Sequence, residues 1–267
     1  MKALIYTIVL FFISHTSLAH DYWIAPTNFR PNQGEVVAIK LFVGDHFKGE
    51  LERELSKEMT IDFELSNSKG RRDILDPDLY GKKPIGEPRF ETVGTNILAI
   101  QRNWAHIEME GPKFHDYLKH EGLTHIIDAR VKSGEQQESA TERYRRYLKS
   151  IVVVGDHDDE HWKTVLGHKL EIIPLSNPSN AKPGSTVAFR VLLDGKPLKQ
   201  VQVAALGKAN GRTVDKHGRT DTNGQVSFEL EMAGFWMVRL VHLRRCEEDV
   251  ADWESFWSSL TFEVKAD

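Results

Sequence analysis

The strongest constraint on the fold is a long series of short segments in which apolar and polar residues alternate. Segments 36–43 and 59–65 are clear examples, and each lies next to a turn rich in Asn and Gly. Successive side chains of a β-strand point to opposite faces, so a period of two predicts strands with one face in a core. Further strands are predicted at 96–101 and 150–154. The pattern therefore predicts a mainly β-protein.

The second half of the chain continues this pattern at the spacing expected of a β-sandwich. Its predicted strands are 169–173, 186–193, 201–205, 226–230 and 235–242. The segment 251–262 carries two tryptophans and two phenylalanines, which is too much apolar surface for a free tail. We therefore expect it to pack onto the sandwich. Together the two halves predict two β-sandwich-like domains.

One short helix is predicted within the first domain, at 112–121. Its apolar residues Phe114, Tyr117 and Leu118 share one face, and Gly122 ends it.

Composition suggests where the domains meet. The charged segment 156–167 is predicted to be a linker between an N-terminal β-rich domain at 20–155 and a C-terminal sandwich at 168–267. Residues 135–148 are also polar. Their interleaved acids and bases predict an exposed approach to the strand at 150–154 rather than a basic binding patch.

The first nineteen residues have the organisation of a cleavable signal peptide. A basic start precedes the apolar run from Ala3 to Ile13, and Ser17 and Ala19 supply the small residues at positions −3 and −1. That run is too short for a comfortable membrane span, and no later segment is apolar enough to cross. We therefore expect a periplasmic protein that begins at His20, with no membrane span in the mature chain.

Charge and motif content argue against several functional classes. A net charge of −4 over 267 residues argues against a nucleic-acid partner. Cys246 is the only cysteine, so no intrachain disulfide can form, and we expect it to have no structural role beyond packing. The sequence contains no Gly-rich phosphate loop, nucleophile elbow, zincin helix motif or paired-cysteine metal knuckle. No enzyme class is indicated.

Histidines are the remaining chemical signal, and His20 is the most informative of the twelve. At the mature terminus its α-amine, with a pKa of about 7.7–8.0, and its imidazole Nδ1 can hold a metal ion in one chelate ring. His46 and His242 lie at strand ends and offer further nitrogen donors. The predicted metal ligands are His20, His46 and His242. Alternatively, His20 frays in solvent and the other two are core-edge residues.

The other histidines are weaker candidates. His157 and His161 flank three acidic residues and could hold zinc or nickel, or could belong to a solvated charged run. His115, His120 and His125 are predicted to be surface or core-edge residues. The first two are five positions apart and do not share a helix face well.

Several segments carry a family likeness. They are 19–26 (AHDYWIAP), 44–50 (GDHFKGE), 142–146 (ERYRR), 167–174 (GHKLEIIP) with 177–178, 195–197 (GKP) and 252–262 (DWESFWSSLTF). Together they resemble a NikM-like family of exported bacterial proteins of unassigned domain function, associated with nickel or cobalt uptake. The segments 195–198, 201–203, 220–224 and 234 also resemble a carboxypeptidase-regulatory or transthyretin-like sandwich. The first resemblance implies a periplasmic two-domain β-protein connected with a transition metal, and supplies no ligand set.

Two classes of function follow from the sequence. In the first, the protein binds or delivers nickel or cobalt, with copper or zinc as alternatives, and serves an inner-membrane metal transporter. In the second, it is an envelope recognition module that binds a protein or glycan without metal. A third, enzymatic version places copper in a histidine brace at His20, which needs an open coordination position and a substrate surface.

Overall fold

The computed structural model describes residues 20–266, so the predicted signal peptide at 1–19 lies outside the described residues. Strands dominate, which confirms the prediction of a mainly β, sandwich-like protein. The strands are β1 (Asp21–Pro26), β2 (Glu35–Val36), β3 (Ile39–Asp45), β4 (Lys48–Arg53), β5 (Thr60–Asn67), β6 (Gly70–Asp73), β7 (Arg89–Phe90), β8 (Gly94–Arg102), β9 (Ala105–Met109), β10 (Ala140–Val154), β11 (Leu170–Pro174), β12 (Ser185–Leu193), β13 (Lys196–Pro197), β14 (Gln202–Ala209), β15 (Arg212–Arg219), β16 (Gln225–Leu230), β17 (Gly234–Arg245) and β18 (Trp253–Val264).

Two α-helices lie between β9 and β10, namely α1 (Gly111–His120) and α2 (Thr124–Ser133). The first confirms the predicted helix, and its predicted apolar face is buried. The second was not predicted. Only Ile126 and Arg130 of its ten residues are buried, so its sequence carries little helical periodicity. Neither helix is long and apolar enough to span a bilayer.

A nine-stranded sheet forms the centre of the molecule. Its order is β15-β14-β17-β18-β10-β8-β5-β6, with β9 also paired to β10. The β10–β18 pair is parallel, from Glu142 opposite Trp253 to Ser150 opposite Thr261. A parallel pair needs a long crossover, and the whole segment between these strands supplies it. Strands from both predicted domains therefore share one sheet, and the boundary at 156–167 stays a prediction.

Strand β10 is buried on both faces because smaller sheets cover the central sheet from either side. Leu148, Val152 and Val154 enter one apolar core with residues of β1 and β3. Tyr147, Ile151 and Val153 enter a second core with residues of β11 and β12. The prediction that 135–148 forms an exposed approach is wrong for the strand itself, since Arg143 and Arg146 are both buried. Flanking layers, which the local sequence does not reveal, bury these charges.

The carboxyl-terminal aromatic segment lies between β10 and β17 as strand β18. Its alternating side chains divide between two cores. Phe256, Leu260 and Phe262 face the core shared with β12, whereas Trp253 and Trp257 pack against α1. The expectation that this segment packs onto the sandwich is confirmed.

Strand β1 lies across the central sheet and belongs to a three-stranded sheet of order β1-β3-β4. Its backbone is fixed by two side-chain hydrogen bonds. Ser259 Oγ donates to the carbonyl of Tyr22 at 2.9 Å, and Thr261 Oγ1 donates to that of Ile24 at 2.7 Å. These contacts place the start of the described chain over β18.

Candidate metal centre beside the first strand

The tight turn between β3 and β4 presents the first functional side chain. Asp45 pairs with Lys48, so His46 and Phe47 form a two-residue turn, and both have positive φ angles of 47° and 58°. Such turns favour Gly or Asn, so this conformation is strained for these residues. Phe47 offsets the cost by packing edge-on against Trp23, with ring centroids 5.4 Å apart. The turn thereby holds His46 in a defined position.

Asp45, His46 and His120 form the candidate metal centre. One ligand atom from each lies within 4.8 Å of the others. Oδ1 of Asp45 is 3.8 Å from Nε2 of His46 and 4.0 Å from Nε2 of His120. Ligand atoms around a tetrahedral ion with bonds of about 2.1 Å lie about 3.4 Å apart. Small side-chain movements would therefore close these three ligands around one ion.

The neighbours of His46 assign its tautomer. Nη2 of Arg239 lies 3.3 Å from Nε2 of His46, and a guanidinium can only donate, so Nε2 carries the lone pair. The Nδ1–H group then donates to Oδ2 of Asp215 at 2.9 Å. A carboxylate on the far nitrogen of a ligating histidine is the usual way in which proteins orient that ligand. The hydrogen bond to Asp215 also raises the pKa of His46, against the opposing effect of burial.

Arg239 connects the start of β1 to this cluster. Its side chain is buried, and its Nε lies 3.0 Å from Oδ1 of Asp21 while Nη1 contacts Glu121. Burial alone would lower the pKa of Arg239, but the two carboxylates raise it above its usual value. At Asp21, burial raises the pKa of the carboxyl to about 6, because its effect outweighs the opposing attraction of Arg239. The arginine therefore fixes the residue that follows His20.

His20 lies at the same end of β1. The β1–β3 register pairs Asp21 with Gly44, so the preceding residue lies level with Asp45. The Nδ1 atom of His20 is buried and has no hydrogen-bond partner among the described residues. An imidazole nitrogen without a partner is expensive to bury. It is also the atom that would chelate a metal together with a mature α-amine.

The structure places His242 elsewhere. Side chains alternate along β17, so His242 points to the face opposite Arg239. It stacks on His125 with ring centroids 5.9 Å apart, and burial lowers its pKa to about 4. Of the three predicted ligands, the fold therefore brings His20 and His46 to one end of β1, whereas His242 joins a separate histidine pair.

The acidic segment around His157 and His161 is occupied by structural hydrogen bonds. Oδ2 of Asp159 accepts from the backbone N–H of Thr95 at 2.8 Å, and Nε2 of His161 lies 3.0 Å from Oγ of Ser66. Burial lowers the pKa of His161. This segment is fixed onto the central sheet and forms no metal-ligand group among residues 20–266.

Sequence reasoning missed several members of the cluster. His120, predicted to be a surface or core-edge residue, ends α1, and its ring stacks on His46 with centroids 5.1 Å apart. Asp215 and His217 lie two apart on β15, and their contact is 3.0 Å from Nε2 to Oδ1. An Asp-x-His pair on a strand was the one available signal, because residues two apart share a face. No local pattern identified Arg239.

Residues 17–244 match a protein family described as "Domain of unknown function (DUF4198)". The match covers most of the chain and includes every residue of the candidate metal centre. The chain belongs to this family. A comparison with functionally curated proteins finds no match. The family description names no metal and no transporter, so the function of this DUF4198 protein has to be argued from its site.

Proposed function

We propose that this protein is an exported, periplasmic binding protein for a divalent transition metal, with nickel or cobalt as its cargo. Asp45, His46 and His120 would hold the ion, and the mature amino terminus at His20 would complete the site. One observation carries the proposal. Three ligand atoms within 4.8 Å of one another lie at the end of β1 where a buried His20 Nδ1 has no partner.

The donor set suits a borderline metal. Imidazole and amine nitrogens with one carboxylate favour nickel, cobalt, copper and zinc over calcium or magnesium, which prefer oxygen ligands. Asp215 would orient His46 through Nδ1, which leaves Nε2 for the ion. The ion and Arg239 would compete for that Nε2 lone pair. Arg239 can release it without becoming unpaired, because it also contacts Asp21 and Glu121.

The position of this site is compatible with delivery of the metal ion to another protein. The site is built from a turn, a helix end and a chain terminus, all at one end of β1, so an ion could be passed on without unfolding a core. We therefore extend the proposal to an accessory role in metal uptake, with transfer to an inner-membrane transporter. The alternative is an envelope recognition module in which these histidines are incidental.

The test is calorimetric titration of nickel, cobalt, copper and zinc into mature protein that begins at His20. One added Gly ahead of His20 moves the amine away and leaves the fold intact. We expect this variant to lose metal affinity more than tenfold, which is about 1.4 kcal/mol or more. His46→Ala and His120→Ala should also weaken binding. Their losses should be non-additive with the extension, because all share one ion.

Two further variants make the result decisive. His106 is exposed on β9, so His106→Ala is the matched control and should bind like the parent protein. His242→Ala should also bind normally, and a loss there would support the ligand set that the sequence predicts instead. Equal affinity of the native and extended proteins would exclude the terminus from the site. Micromolar or tighter binding by none of the four metals would refute the proposal and favour the recognition module.

A further inference from the structure

Strand β10 separates its arginines between two faces. Arg143 is paired with carboxylates, since its Nη2 lies 2.6 Å from Oε2 of Glu254 and 2.8 Å from Oε1 of Glu248. Arg146 points to the opposite face of the sheet. Within the described part of the chain it has no carboxylate at ion-pair distance and makes no side-chain hydrogen bond, and its Nε is buried without a partner.

A second unpaired arginine lies beside it. The antiparallel β8–β10 register pairs Tyr147 with Gln101, so its continuation brings Arg102 level with Arg146. Arg102 is 7% exposed and Arg146 is 8% exposed. Nε and Nη1 of Arg102 are buried without a hydrogen-bond partner, and no described carboxylate pairs with it. Burial and the neighbouring charge of Arg146 together lower the pKa of Arg102 to about 10, against the opposing effect of Tyr22.

Aromatic rings frame this arginine pair. The guanidinium carbon of Arg146 lies 4.2 Å from the ring centroid of Tyr22 and 4.5 Å from that of Tyr144. The guanidinium carbon of Arg102 lies 5.3 Å from the ring centroid of Tyr22. Ring faces attract the cations and hold the guanidinium planes in position. They do not satisfy the in-plane N–H donors, which need an oxygen acceptor.

The charge of this arginine pair is only partly balanced by its neighbours. Glu142 lies on the same face of β10 and is attracted by Arg146, but it accepts its hydrogen bonds from Ser255 and Tyr117, and burial raises its pKa to about 7. It therefore carries only part of a negative charge at neutral pH. Arg53, exposed on β4, adds a further positive charge that also lowers the pKa of Arg102. Two adjacent buried cations with no carboxylate of residues 20–266 at ion-pair distance are costly unless a ligand compensates them.

We propose that Arg102 and Arg146 form a binding site for a small dianionic oxyanion, of which phosphate is the simplest example. Two guanidinium forks match the geometry of such an anion and supply the charge that neutralises it. Tyr22 and Tyr144 act as walls that keep the forks aligned. The site is distinct from the candidate metal centre, because neither arginine and neither tyrosine belongs to the group of Asp45, His46 and His120.

The experiment compares the melting temperature and calorimetric affinity of the protein in low-millimolar phosphate and in sodium chloride of equal ionic strength. We expect phosphate, and not chloride, to raise the melting temperature in a concentration-dependent way. Arg146→Met and Arg102→Met keep the apolar stem and remove the charge, and each should weaken phosphate binding by at least about tenfold. Sulfate and succinate, tested alongside, distinguish a tetrahedral from a dicarboxylate ligand.

Arg145→Met is the matched control. Arg145 directly precedes Arg146 on β10, and its side chain points to the opposite face of the sheet. There its guanidinium carbon lies 4.5 Å from the ring centroid of Trp104. This variant should bind phosphate like the parent protein. The proposal is overturned if chloride stabilises the parent as much as the three dianions do. It is equally overturned if Arg146→Met retains the full phosphate effect. Should neither methionine variant fold, the comparison of anions on the parent protein still decides the question.

Discussion

The buried carboxyl of Glu142 should make the stability of this protein depend on pH. Its side chain is fully enclosed between β10, β18 and α1. Ser255 and Tyr117 donate to Oε1, and Oε2 has no hydrogen-bond partner among the described residues. Burial raises its pKa from 4.5 to about 7. Between these pH values the folded protein keeps a proton that the unfolded chain has lost, so stability falls as pH rises through this window.

The size of the effect follows from the shift. Each pKa unit corresponds to about 1.36 kcal/mol, so a shift from 4.5 to about 7 lowers the free energy of unfolding by about 3 kcal/mol once the pH exceeds 7. Glu142→Gln keeps the shape and the acceptor oxygen but cannot ionise. We expect this variant to match the parent near pH 4.5 and to be more stable by up to about 3 kcal/mol at pH 8.

Urea denaturation of both proteins at a series of pH values measures this difference directly. Other groups titrate in the same range, but they contribute equally to both proteins and cancel in the comparison. Glu108→Gln is the matched control, because Glu108 is exposed on β9 and its replacement should give a small difference that does not change with pH. A difference between Glu142→Gln and the parent that is constant from pH 4.5 to 8 would refute the reasoning.

Three further predictions concern stability. Burial lowers the pKa of His242 from 6.5 to about 4, so the free energy of unfolding should fall by about 3 kcal/mol as pH falls through that window. Urea denaturation at the two pH values should show a smaller loss of stability for His242→Gln than for the parent, and equal losses would contradict this. Trp257→Ala should lower the free energy of unfolding by roughly 3–5 kcal/mol, because the ring is 5% exposed, stacks on Tyr117 and donates to Ser255. An unchanged denaturation midpoint would show that these contacts contribute nothing. Cys246→Ser should change the free energy of unfolding by less than about 1 kcal/mol, since this partly exposed thiol forms no disulfide. A larger loss of stability in thermal melts would show that the thiol has a packing role that Ser cannot replace.

Part of the candidate site could be predicted from local sequence. His46 follows a predicted strand at a Gly-flanked turn, and His20 follows a predicted cleavage site, so the local sequence indicates both as candidate ligands. His120 is exposed, as predicted, but its helix gives no reason to single it out as a candidate ligand. Its contact with His46 joins residues 74 positions apart in a chain of 267. Asp215 and Arg239 likewise acquire their roles only through partners on distant strands.

The sequence by itself determined the local elements of this protein. The period-two segments became strands, the face formed by Phe114, Tyr117 and Leu118 became α1, and the carboxyl-terminal aromatic segment became a buried strand. Tertiary structure decided which neighbour each face would meet. It made β10 a central strand between two cores, and so buried Arg146 with no carboxylate of residues 20–266 at ion-pair distance. The reason is physical: a strand's own periodicity specifies which side chains share a face, whereas the chemistry opposite that face comes from segments far away along the chain.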